Sequence, residues 1–100
     1  MTTYRLVAEP AADQDVEAAF EWYQSEREGL GLEFLDELRA AYGRVSEGPL
    51  KYREIRSGIR RALLRRFPYA VYFSVEPDTV VILAVLHAHR DPAAWQGRGG

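Results

Sequence analysis

The first half of the chain carries two apolar stripes of helical period with a three-residue glycine turn between them. Val16, Ala19, Phe20 and Tyr23 fall at i, i+3, i+4 and i+7, so they share one helix face. Phe34, Leu35, Leu38, Ala41, Tyr42 and Val45 make a second stripe. Gly29-Leu30-Gly31 separates them, and glycine supplies the left-handed conformation that stops a helix. Helices are therefore predicted over about residues 11–28 and 32–46. Joined by so short a turn, they form an antiparallel hairpin. Pro10 suits the first helical turn. Asp13, Asp15 and Glu17 follow it, where the helix dipole favours acids. At i, i+2 and i+4 only Asp13 and Glu17 share a face, which argues against a metal site.

The period changes to two on either side of this hairpin. Residues 4–8 read as a strand with Leu6 and Ala8 on one face and Arg5 and Val7 on the other. After Gly48-Pro49, residues 52–55 suggest a short strand and Ser57-Gly58 a turn. Residues 60–67 alternate, with Arg61, Leu63 and Arg65 on one face and Ala62, Leu64 and Arg66 on the other, until Pro68 interrupts. Residues 69–75 form a strand with apolar residues on both faces. Glu76-Pro77-Asp78 is a turn. Residues 79–86 are β-branched and apolar throughout, as a central strand should be. Asp91 could cap one helical turn reaching Trp95, and residues 96–100 are expected to be a flexible tail. The predicted fold class is α+β: an N-terminal strand, then the helical hairpin packed on a mainly antiparallel sheet of four strands (three to five), with a short C-terminal turn of helix. One domain covers residues 1–100.

Composition narrows the function classes. Hydrophobic residues make up 47% and charged residues 28%, which excludes a disordered chain. With no cysteine and two histidines, there is no disulfide framework, no thiolate metal site and no cysteine nucleophile. The longest strictly apolar run, residues 80–86, is far short of the roughly 20 residues a membrane helix needs. No signal peptide is apparent at the N-terminus, so a cytoplasmic location without membrane association is expected. No phosphate-binding glycine loop, nucleophile elbow or His-Glu-x-x-His motif occurs. No cofactor or metal is expected.

Charge is divided between the halves. Residues 1–50 hold 4 basic and 11 acidic side chains and residues 51–100 hold 9 and 4, giving −7 and +5 within the net −2. All but one of the 13 basic residues are Arg, whose planar fork suits carboxylates and phosphates. Two readings follow: an anion-binding second half, or a dipolar domain whose halves neutralise each other. Arg61 and Arg65, four apart in a strand, would point the same way beside Tyr69 or Tyr72 and could hold phosphates and stack a base. His87 and His89 end the central strand. A histidine there with Arg nearby could activate a 2′-hydroxyl for RNA cleavage; alternatively it bonds backbone at the strand end. Trp22 and Trp95 are expected in core roles, Trp95 capping the sheet.

Four blocks, in this order and spacing, resemble the RelE/ParE superfamily of type II toxin–antitoxin toxins, and the ParE branch more closely. They are Pro10–Asp13 with Ala18–Tyr23; Gly29–Leu35; Gly58–Tyr69; and Ile82–Pro92. The resemblance spans about residues 4–95 and implies the fold derived above. RelE-like members are ribosome-dependent ribonucleases that cut mRNA with several Lys and Arg and often a C-terminal Tyr. Arg61 matches the Arg of their second-strand motif and Arg90 roughly matches the Arg after the last strand. No Tyr follows Arg90; Trp95 stands near that position, and only Lys51 could answer the family's upstream lysines. If the chain were a ribonuclease, its catalytic candidates would be Arg61, His87 and Arg90. ParE-like members lack that set and poison DNA gyrase by binding. Both kinds are neutralised by an antitoxin. The resemblance thus implies a growth-inhibiting toxin directed at gyrase. The alternatives are a ribosome-dependent mRNA endoribonuclease and an inactive member acting only within an antitoxin complex. The expected antitoxin- or target-binding residues are Arg60, Arg61, Arg65, Arg66, Phe67, Tyr69, Arg90 and Trp95. The expected assembly is a homodimer or a toxin–antitoxin hetero-oligomer.

Overall fold

A computed structural model describes residues 3–89. The elements run β1 (Arg5–Ala8), α1 (Pro10–Glu26), α2 (Leu30–Glu47), a 3-10 turn (Pro49–Lys51), β2 (Glu54–Arg56), β3 (Ile59–Leu63), β4 (Tyr69–Val75) and β5 (Thr79–His87). The strands form one sheet in the order β1-β5-β4-β3-β2. The expected α+β architecture is present. The sheet has five strands and is mixed: β5 pairs with β1 in parallel, and the other pairs are antiparallel. The helical turn expected at Asp91–Trp95 and the tail at 96–100 lie outside the described residues.

Local chemistry explains the hairpin. Pro10 opens α1, where its missing N–H costs nothing. Residue Gly29 adopts φ +90° and stands just before α2 rather than closing α1, which ends at Glu26 with Arg27 donating back to the Tyr23 carbonyl. The Gly31 N–H donates to the Gln24 side chain at 2.9 Å. A Cβ on Gly31 would lie 2.8 Å from the Phe20 carbonyl oxygen, so only glycine lets the helices approach this closely. The N-terminus is tied to the end of α2, with Tyr4 and Ser46 exchanging bonds of 2.9 and 2.6 Å.

Both stripes turn onto one sheet face. Ala19, Tyr23, Phe34, Leu38, Ala41 and Val45 are buried with Val71, Phe73, Val80, Ile82 and Val85. Four rings make the centre of this core. Tyr23 stands 4.9 Å from Phe67 and 5.4 Å from Phe34, and Phe34 stands 5.2 Å from Tyr69. Strand β5 is central, as its unbroken apolar run predicts. It leaves the β4 register by one residue near Tyr72 and Phe73.

Two expectations are corrected. Strand β3 ends at Leu63, not near Pro68, because residues 64–68 turn under α2. There the Glu37 carboxylate accepts the backbone N–H groups of both Arg65 and Arg66. Arg61 and Arg65 therefore do not share a strand face. Trp22 is not a core residue: it is 56% exposed, one position off the stripe, with its ring edge-on to Tyr23 at 5.1 Å.

Candidate functional site

Chain topology leaves one groove on the helix side of the sheet. Strand β1 stops at Ala8, opposite Ile82, and Pro10 then diverts the chain into α1. The second half of β5 thus has no strand on that side, and α1 lies along it instead. Asp15 stands in for the missing strand: its carboxylate accepts the Val85 N–H at 3.0 Å. Between α1 and the ends of β4 and β5 a groove of about 830 Å³ remains, bordered by Asp15, Trp22, Tyr69, Val85, His87 and His89. His87 faces Tyr69 at 5.6 Å and His89 at 5.5 Å between ring centres. Its Nδ1 accepts the His89 N–H at 3.2 Å, the bond to backbone weighed above. Burial, with Tyr69 adding to it, pushes the Tyr23 hydroxyl upward.

A second corner, of mixed charge, forms where residues 65–66 meet α2. The Arg66 guanidinium lies 2.8 Å from Glu33 and 3.9 Å from Glu37, and 5.3 Å above the Phe67 ring. Glu33 also receives Arg27 at 3.1 Å. Hydrogen bonds from Arg27 and then Arg66 hold the Glu33 carboxyl below its ordinary range.

The predicted site residues do not converge. In the register of β3 and β4, Arg61 opposes Tyr72, whose ring is on the face away from the helices. In the register of β4 and β5, Tyr69 opposes His87, and Tyr69 packs on the helix-side core. Arg61 and His87 therefore project from opposite faces. Arg60 is used internally: it donates to the Tyr52 carbonyl at 2.7 Å and meets Glu54 at 3.6 Å. Phe67, expected as a partner anchor, is 6% exposed in the aromatic core and is not available as one. Tyr69 is half-buried, Arg65 and Arg66 are exposed, and Arg90 and Trp95 lie outside the described residues. Among the described residues no three His, Asp or Glu side chains are grouped as a metal site, and no helix is long and apolar enough to cross a membrane.

The groove itself was not predicted. Its sequence signal is the pairing of a four-residue first strand with a nine-residue last one, together with Asp15, Ala19 and Trp22 at helical spacing.

A hairpin of helices on one face of a mixed five-stranded sheet defines the class to which the chain belongs. A chain of the chromosomal ParDE toxin–antitoxin system from P. aeruginosa has the same fold, with a TM-score of 0.76 over 85% of this chain and 96% of that one. Identity is 17%, so the likeness is one of fold. No curated protein sequence matches. The family is settled by the family model of the ParE toxin of the type II toxin–antitoxin system parDE, which matches residues 6–92. The chain belongs to the ParE toxin family.

Proposed function

We propose that the protein is a growth-inhibiting toxin that acts by binding, with DNA gyrase as its target and a cognate antitoxin as its silencer. Membership of the ParE family supports the toxin role. The separation of Arg61 from His87 across the sheet carries the choice of binding over catalysis. Cleavage of RNA needs a base and a cation within hydrogen-bond reach of one phosphodiester. These two side chains emerge on opposite sides of a sheet. An inhibitor that works by occupancy needs no such convergence. Both named partners are cytoplasmic proteins, and a toxin–antitoxin hetero-oligomer is the resting state in this reading.

The antitoxin would approach the corner of residues 65–66. Arg65 and Arg66 are exposed there, and an acidic segment could compete with Glu33 and Glu37 for their guanidinium groups. Tyr69 at the groove mouth supplies apolar area where Phe67 does not.

Induced expression with a DNA-damage reporter tests the target. A gyrase poison gives double-strand breaks and an early damage response. Loss of ribosome-bound mRNA with DNA intact would instead establish the endoribonuclease. Growth without either effect would mark a member that acts only within its antitoxin complex.

A further inference from the structure

Seven cations and one acid lie between Glu47 and Glu76 in the sequence. The acid, Glu54, is already taken: it meets Arg60 at 3.6 Å, and Arg60 also donates to the Tyr52 carbonyl. Arg66 is matched by Glu33 and Glu37 from α2. At the β2 edge of the sheet no acid does the same. Lys51, Arg53 and Arg56 are exposed, and no described carboxylate pairs with any of them. Strand β2 is the last in the sheet order, so its outer edge meets no described strand. Glu47, at the end of α2, is the nearest other acid in sequence. Across the sheet the acids are distant: Glu76 follows β4, two strands away, and the acids of α1 lie over β5, three strands away. At about 4.8 Å per strand these separations are about 10 and 14 Å, beyond the screening length of about 8 Å in physiological salt.

We propose that this edge binds the phosphate backbone of double-stranded DNA through Lys51, Arg53 and Arg56. The backbone that carries them is held in place. Arg61 donates its N–H to the Arg53 carbonyl at 3.3 Å, which keeps residue 53 beside β3 although β2 begins at Glu54. The Lys51 stem lies against Gly48, where an added Cβ would collide with it. Residues 53 and 56 are three apart, about 10 Å along an extended chain. That length matches about three successive phosphates of one DNA strand, at about 3.4 Å of rise each. The guanidinium fork suits phosphate oxygens.

The chemistry of the edge favours a duplex over other nucleic acids. Single strands are held by stacking their bases on aromatic rings. Tyr52 is the one aromatic residue between positions 48 and 66; it packs against the core, edge-on to Phe73 at 5.8 Å. Double-stranded RNA is gripped largely through its 2′-hydroxyls, and Ser57 is the one aliphatic hydroxyl of the same stretch. The phosphates of B-form DNA require only the cations. Binding of this kind is independent of base sequence. It goes beyond the gyrase reading and does not rest on it.

Fluorescence anisotropy of a short labelled DNA duplex, titrated with the full-length protein over a salt series, tests it. Three neutralised phosphates give a slope of log K against log salt of about −2.7. In the double variant Arg53→Gln, Arg56→Gln the slope should fall to about −0.9, with affinity at low salt at least about tenfold weaker. Both side chains are exposed, so the fold should persist, and far-UV circular dichroism checks that. Arg5→Gln, which removes an exposed cation from the opposite edge of the sheet, should leave the slope unchanged. A single strand of the same sequence and an RNA duplex should both bind more weakly than the DNA duplex. Tighter binding of either one would overturn the proposal. An equal loss in Arg5→Gln would do so too, because overall charge rather than this edge would then drive binding. Absence of salt-dependent binding to the DNA duplex would overturn it outright and leave the edge to an acidic protein.

Discussion

Asp15 shows how one side chain replaces an absent strand. Its bond to the Val85 N–H satisfies a backbone donor that β1 is too short to reach. Asp15→Ala should cost about 1–3 kcal/mol, the penalty of an unmet buried donor. Asp15→Asn should recover most of that, since its amide oxygen still accepts; chemical denaturation of both variants measures it. Tyr42 lies near the same acids. Burial first, then the charges of Asp13 and Asp15, push its hydroxyl up to about 12 from 10.0. The unfolded chain therefore loses this proton first. The stability Tyr42 contributes is complete below pH 10 and lost as pH rises from 10 through 12. Tyr42→Phe should flatten the stability profile across that window, and an unchanged alkaline slope would show that another group controls it. Single residues were also where sequence reasoning failed. Phe67 and Trp22 differ little in hydrophobicity, yet Phe67 is in the core and Trp22 is outside it. A turn held by Glu37 directs the first inward, and one step around α1 turns the second outward.

At the scale of elements, the helices were legible and the sheet's edges were not. Helical stripes are local, so residues 16–45 declare both helices and their shared face. Strand β5 was legible as central because it is apolar on every side. Nothing local announces that β1 pairs with it in parallel, because that contact joins residues more than seventy positions apart. The early end of β3 was hidden for the same reason: its cause is Glu37 on another element. The hairpin offers a test with two signs. Gly43 lies exposed within α2, where an added Cβ would meet no neighbouring atom, whereas a Cβ on Gly31 would press on the Phe20 carbonyl at 2.8 Å. Gly43→Ala should raise stability by about 0.5–1 kcal/mol through helix propensity. Gly31→Ala should lower it by about 1–3 kcal/mol despite the same propensity gain, since overpacking must separate the helices. Thermal melts decide this, and an equal rise in both would show that the helices do not meet at Gly31.

For the molecule as a whole, the charge division read from sequence has a structural answer in part. Arg66 meets Glu33 and Glu37, so an acidic first-half helix neutralises a basic second-half loop. The dipolar reading accounts for that contact. Arg65 and Arg66 nevertheless remain exposed, and in the proposed reading they would meet an acidic partner. The double variant Arg65→Glu, Arg66→Glu should slow association with the cognate antitoxin and weaken its salt dependence, because rim charges act mainly on the encounter rate. The domain should stay folded, because exposed ion pairs contribute only about 0–1 kcal/mol each. Association kinetics at two salt concentrations read this directly. An unchanged rate at low salt would remove the corner from the interface.

A toxin that acts on gyrase by occupancy has no need of an assembled catalytic pair. The most direct measurement of that claim combines purified protein, purified gyrase and supercoiled plasmid, with trapped cleavage complexes released by detergent and protease. Linear DNA that increases with toxin concentration and disappears when antitoxin is added first is the predicted result. Intact plasmid at every concentration, from the same preparation that cuts mRNA on translating ribosomes, would contradict it.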